Sequence, residues 1–133
     1  MMTAATAADV NLKQFHIDGA GAGPDGTNSG YAFVYLGTDV QRVKRNDGMT
    51  NNQAEYMALI AVLKYVTAGS QVLIFTDSEL VCKQFSGAYA VRDRKLKELL
   101  ATARRLIGEK DLHVEIKWVP REANLAGRLL ERR

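Results

Sequence analysis

The sequence predicts an α/β domain built on a mixed five-stranded sheet, three strands antiparallel and the others parallel, flanked by helices. Three observations predict it. Two apolar runs of strand length, Leu12–Asp18 and Gln71–Thr76, stand far apart in the chain. Between them lies a helix-length stretch whose residues Tyr56–Val66 are apolar almost all the way round, the mark of a helix buried against more than one neighbour. The order of elements is three strands, helix, strand, helix, helix, strand, helix, which suits a hairpin block joined to parallel strands by helical crossovers.

Taken in order, Leu12–Asp18 is the first strand, and the glycine-rich Gly19–Gly30 follows as a turn with Pro24-Asp25-Gly26 at its tight part. Tyr31–Leu36 is a second strand, and Gly37-Thr38-Asp39 connects it to a third at Val40–Arg45, broken by Asn46-Asp47-Gly48. Thr50 or Asn51 caps a helix running to Val66, and Gly69 ends that region. Gln71–Thr76 is a β-rich apolar run, as expected of a central strand covered on both faces. Ser78–Phe85 reads as a short helix and Arg92–Ile107 as a longer one stopped by Gly108. In the last strand, Leu112–Val119, Leu112, Val114, Ile116 and Trp118 alternate with His113, Glu115 and Lys117. This alternation assigns Trp118 to the core and His113 to solvent. Pro120 stops the strand, and Glu122–Glu131 forms a closing helix.

A chain of 133 residues has room for one domain with one core, expected over residues 12–133, preceded by a flexible Ala/Thr-rich leader over residues 1–11. Hydrophobic content of 47% and charged content of 25% are those of a soluble protein, and no apolar stretch is long enough to span a bilayer. The leader has neither the basic nor the apolar region of a secretory signal, so a cytoplasmic, membrane-free monomer is expected. The single cysteine, Cys82, cannot form an internal disulfide and reads as a packed thiol. The net charge of +3 is mild, but Lys83, Arg92, Arg94 and Lys95 belong to a basic stretch of the kind that suits a polyanion.

Three carboxylates carry the chemistry. Asp18 and Asp77 each end an apolar strand, and Glu55 lies in the first turn of the buried helix. Each has a structural reading of its own: a turn residue, a helix N-terminal acid, an N-cap. Together they describe a cluster. If the two strands are neighbours, their carboxylates emerge side by side, and Glu55 can point at the same spot. Like charges at buried strand ends are costly unless a cation offsets them. Oxygen ligands of this type suit Mg²⁺ or Mn²⁺, and there is no Cys/His cluster to suit zinc.

The chain resembles a type 1 ribonuclease H from about Phe15 to Leu130. The matching pieces are Asp18-Gly19-Ala20 with its glycine loop, Met49-Thr50-Asn51-Asn52-Gln53-Ala54-Glu55, Thr76-Asp77-Ser78 and Trp118-Val119-Pro120-Arg121-Glu122. The resemblance implies a ribonuclease H-like fold and an endonuclease that cuts the RNA strand of an RNA–DNA hybrid, leaving 5′-phosphate and 3′-hydroxyl ends. It implies two divalent ions, about 4 Å apart in such sites, with Asp18 bridging both and Glu55 and Asp77 completing the first. It also implies substrate contacts from Gly19, Ala20, Thr50, Asn51 and Asn52, the last two reading ribose 2′-hydroxyls. Lys83, Arg92, Arg94 and Lys95 would follow the hybrid's backbone.

The departure is at the C-terminus, where the family pattern is Arg-Glu-x-Asn-x-x-Ala-Asp and the final Asp is a fourth metal ligand. Read without a gap from Arg121, the chain has Asn124 in the Asn position but Gly127-Arg128 in place of Ala-Asp. A three-residue deletion instead aligns Ala123-Asn124 with Ala-Asp, so that Asn124 offers a neutral carbonyl oxygen as fourth ligand; this alignment is preferred. Glu131 is a third candidate. Loss of one negative charge predicts weaker holding of the second ion, hence a need for more metal or a preference for Mn²⁺. His16 shares a strand face with Asp18 and reads as a neutral packed residue. Val119–Ala123 has no histidine, so the product-release role that many relatives give one is vacant. The rival reading is a non-catalytic hybrid-binding module with a decayed metal site.

Overall fold

A computed structural model of the chain describes residues 11–131; the leader expected over 1–11 lies outside them apart from Asn11. Five strands form one sheet: β1 Leu12–Ala20, β2 Ser29–Tyr35, β3 Gln41–Asn46, β4 Gln71–Thr76 and β5 His113–Trp118. Their spatial order is β3-β2-β1-β4-β5. β1 is antiparallel to β2 and parallel to β4, β2 is antiparallel to β3, and β4 is parallel to β5. The mixed sheet is therefore the one the sequence predicts.

The helices are α1 Asn51–Tyr65, α2 Glu79–Ser86, α3 Arg94–Glu109 and α4 Leu125–Leu130, with a 3₁₀ turn at Arg121–Ala123 before α4. α1 starts at Thr50 because a capping box satisfies two orphan N–H groups. The Gln53 N–H donates to Thr50 Oγ1 and the Thr50 N–H donates to Gln53 Oε1, each at 3.1 Å. A cap of this kind contributes about 1 kcal/mol. α3 starts two residues later than expected because Asp93 takes the cap, accepting from the Leu96 N–H, and leaves Arg92 outside the helix. α3 runs past Gly108, and Lys110 closes it by donating to the last carbonyls of α1, Leu63 O and Lys64 O.

Strand alternation divides the core. Phe15 and Ile17 point to the main cluster with Tyr56, Leu59 and Leu63 of α1 and with Leu96, Leu99 and Leu100 of α3. Each such side chain, fully buried, contributes about 1.5–3 kcal/mol. Ala32 of β2 faces the other way, where α4 packs Ala126 and Leu130 in a small second cluster with Ala20 at its edge. Small residues there let a short helix lie close to the strands. Trp118 corrects the sequence reading: it is 51% exposed, whereas Val114 and Ile116, four and two residues earlier, do pack on the core. β5 is an edge strand, and by Trp118 the chain has passed the helices that cover its start. His113 is exposed as expected. Among the described residues no helix is long and apolar enough to cross a membrane.

Candidate metal and nucleic-acid site

The strand register brings the acids together. β1 and β4 pair in parallel up to His16 with Phe75, and two further steps place Asp18 beside Asp77. The ladder to β4 stops there, while β1 stays paired with β2 through Gly19 and Ala20. The two strands thus part at their C-terminal ends, where open parallel sheets form ligand crevices. Glu55 arrives from α1, and Gly19 is what admits it. A Cβ at Gly19 would lie 2.3 Å from both Ala54 C and Glu55 N, so only glycine permits this approach of strand and helix. Ser78, not Asp77, caps α2 by accepting from the Val81 N–H, which leaves the Asp77 carboxylate to the cluster.

Ligand oxygens of Asp18, Glu55 and Asp77 all lie within 4.8 Å of one another. Asp18 and Glu55 are buried and Asp77 half-buried. Burial first, and the Asp77 charge second, push the Asp18 carboxyl up to about 6, although the Gly19 N–H and the Arg121 charge pull against them. Burial and both aspartates also push Glu55 well above the usual carboxylate range. Glu55 Oε1 is buried with no hydrogen-bond partner, an unsatisfied acceptor that a cation would satisfy. The all-oxygen donor set and this orphaned atom fit Mg²⁺ or Mn²⁺.

Asn124 reaches the cluster, but not with its oxygen. Its Oδ1 accepts from the Ala126 N–H at 3.0 Å, capping α4, and its Nδ2 donates to Ile17 O at 2.8 Å and to Asp77 Oδ2 at 3.3 Å. The two backbone partners fix the orientation of the amide. The expectation of a metal-facing carbonyl is therefore corrected: the nitrogen faces Asp77, because the oxygen is needed at the helix N-terminus. One turn later Gly127 approaches Asp18, and a Cβ there would lie 3.3 Å from Asp18 Oδ2. Arg128 and Glu131 line the same cleft. Both stretches that the two alignments put at the fourth position, Asn124 and Gly127-Arg128, thus border this cleft.

His16 is packed, as expected. Its ring meets Phe75 edge-on, burial lowers its pKa, and its Nδ1 accepts the Leu125 N–H at 2.9 Å, pinning the start of α4 to β1. The exposed Trp118 also has a task, since its indole N–H donates to Asp77 O at 3.1 Å. Neither bond was legible in sequence, because each joins a side chain to a backbone atom of another element.

The acids sit in a cleft of about 1170 Å³ that Gly19, Ala20, Asn51, Asn52 and Arg121 also line. Asn51 Oδ1 accepts from the Gly21 N–H, which leaves its NH₂ as the group that can donate to a ligand. Thr50 is absorbed in the capping box and is not among the lining residues. Lys83, Arg92, Arg94 and Lys95 are exposed along α2, the loop after it and the start of α3, outside the lining of the cleft. Arg94 pairs with Glu98, and the Lys83 ammonium lies over the Tyr89 ring. Arg121 also lines the cleft, a placement that its motif, Trp118-Val119-Pro120-Arg121-Glu122, did not reveal.

The RNase H family profile matches residues 11–126. The chain belongs to the RNase H family. The match ends just before Gly127-Arg128. Among solved RNase H structures, RNase H1 of the halophilic archaeon Halobacterium salinarum superposes with a TM-score of 0.74 at 30% identity, over 90% of this chain and 93% of that one. LC11-RNase H1, solved in complex with an RNA/DNA hybrid, gives a TM-score of 0.75 at 29% identity, over 88% of this chain and 92% of that one. A bifunctional protein of Mycobacterium tuberculosis is 35% identical over 77 residues, 56% of this chain. The matched part spans 21% of the length of that relative and 38% of the curated ribonuclease HI of Halobacterium salinarum.

Proposed function

We propose that the protein is an endonuclease that hydrolyses the RNA strand of RNA–DNA hybrids with Mg²⁺ or Mn²⁺. One observation carries this reading: three carboxylates from β1, α1 and β4 converge within 4.8 Å in a chain of the RNase H family, and one buried oxygen among them lacks any partner. Asp18, Glu55 and Asp77 would hold the ions. Bound there, the ions supply Lewis-acid activation of water and offset the charge on the leaving 3′-oxygen, giving 5′-phosphate and 3′-hydroxyl ends.

The remaining work belongs to the chain. Asn124 holds the Asp77 carboxylate from one side, while Trp118 holds its carbonyl. Asn124 is on this reading a positioning residue, not a ligand. The Asn51 NH₂ and the Asn52 amide donate to or accept from ribose 2′-hydroxyls, which is how the RNA strand is told from DNA. Gly19 and Ala20 line the cleft beside the hybrid, and Thr50 meets a phosphate of the DNA strand. Lys83, Arg92, Arg94 and Lys95 neutralise backbone phosphates without reading sequence. All these groups come from one chain, so a monomer suffices.

A second reading, a hybrid-binding module without turnover, is favoured only by the arginine at position 128. Incubation with labelled hybrid, duplex RNA and duplex DNA, in Mg²⁺ and in Mn²⁺, separates the two. Selective cutting of the RNA strand of the hybrid supports the nuclease; tight hybrid binding with every substrate intact supports the binding module.

A further inference from the structure

The cleft that gathers three acids also collects two guanidinium groups. Arg121 enters from the 3₁₀ turn and Arg128 from α4, four residues after the Asn124 cap. The adjoining Gly127 lies against Asp18, and Arg128 lines the same cleft as the three acids. Neither arginine forms an ion pair with a carboxylate among the described residues, although Glu122 and Glu131 line the same cleft. A guanidinium that lines a cleft and is not spent on a carboxylate is matched to an anion, and its fork fits phosphate oxygens in particular. The three clustered acids by themselves would repel a nucleic-acid backbone.

We propose that Arg128 is a positioning residue that binds a backbone phosphate of the substrate beside Asp18, so that part of the attraction elsewhere expected of a cation is built into α4. The proposal rests on the nuclease reading for the identity of the substrate. It has two consequences. Hybrid should bind without any metal through a contact that counts as a phosphate contact, and the positive charge should work against a divalent ion near Asp18.

Fluorescence anisotropy with a labelled RNA–DNA hybrid in EDTA, over a series of salt concentrations, tests the first consequence for wild type, Arg128→Ala and Arg128→Lys. Loss of one phosphate contact should weaken binding by roughly tenfold and lower the slope of log K against log salt by about 1 in Arg128→Ala. The lysine variant should keep the slope and lose part of the affinity, since it carries the charge without the fork. Mn²⁺ titration of the free protein tests the second: Arg128→Asp should bind Mn²⁺ more tightly than wild type. Unchanged affinity and salt slope in Arg128→Ala, with a wild type that binds and cuts hybrid, would overturn the role of Arg128 alone. A wild type that neither binds nor cuts hybrid would overturn the nuclease reading with it. Position 128 is exposed, and equal thermal melts of the variants would exclude misfolding as the cause.

Discussion

Replacing Asp18 by asparagine should stabilise the metal-free protein while removing its ability to hold a cation. Asp18 is 8% exposed and sits beside Asp77, and its pKa rises from 3.8 to about 6. A carboxyl raised in the folded state favours folding most below its unfolded value. That contribution disappears as pH rises through the folded value. The shift corresponds to about 3 kcal/mol lost by pH 8, at about 1.4 kcal/mol for each tenfold change in proton affinity. Asparagine keeps the size and removes the charge, but it accepts the Gly19 N–H less strongly and gains nothing from Arg121. A gain of about 1.5–3 kcal/mol remains, or roughly 5–10 °C in Tm for a domain of this size. Melts followed by circular dichroism in EDTA would show this gap at pH 8, shrinking to about a third or less at pH 4.5. Mn²⁺ should raise the Tm of the wild type and leave the variant where it was. If Asp18→Asn melts at or below wild type at pH 8, or the gap does not change with pH, the electrostatic reasoning about the cluster is wrong.

Three further outcomes are expected. Asn124→Asp should cost about 3 kcal/mol in urea denaturation, because it leaves Ile17 O without its donor and sets a carboxylate against Asp77; a stable variant that binds Mn²⁺ more tightly would restore Asn124 as the fourth ligand position. Gly19→Ala should cost about 3 kcal/mol or more, or displace Glu55, since its Cβ would overlap the backbone of Ala54 and Glu55; a variant with wild-type stability and activity would show that α1 is not held at this distance. Mn²⁺ affinity should fall at least about tenfold per pH unit below pH 6, where the ion must displace a proton from Asp18. An affinity that stays flat between pH 5 and 7, followed by electron paramagnetic resonance, would place the ion elsewhere.

The parts of the molecule that could be read in sequence are those whose causes are local. β4 falls at Gln71–Thr76 as expected because an apolar run is bounded by Gly69 and Asp77, and α1 begins at its capping box. The three acids were legible because each context, two strand ends and one helix start, predicts where a carboxylate emerges. Side-chain contacts between distant elements were not. Trp118 follows the alternation of β5 yet lies in solvent, since periodicity does not say where the covering helices stop. Asn124 has the composition of a ligand, but its two amide ends answer to Ala126 N and Ile17 O, and only the packing of α4 on β1 makes that choice. For the same reason Arg128 and the acid cluster become neighbours of one cleft only once Gly127 is seen against Asp18.

The most direct measurement of the central claim is cleavage of a hybrid carrying 5′-labelled RNA, in Mn²⁺, by wild type and by Asp18→Asn, Glu55→Gln and Asp77→Asn. Wild type should cut the RNA strand to fragments ending in 3′-hydroxyl, and none of the three variants should do so at more than about a thousandth of that rate, the loss of roughly 4 kcal/mol of transition-state stabilisation. Cleavage that survives in the variants, or a folded wild type that binds hybrid and leaves the RNA whole, would contradict it.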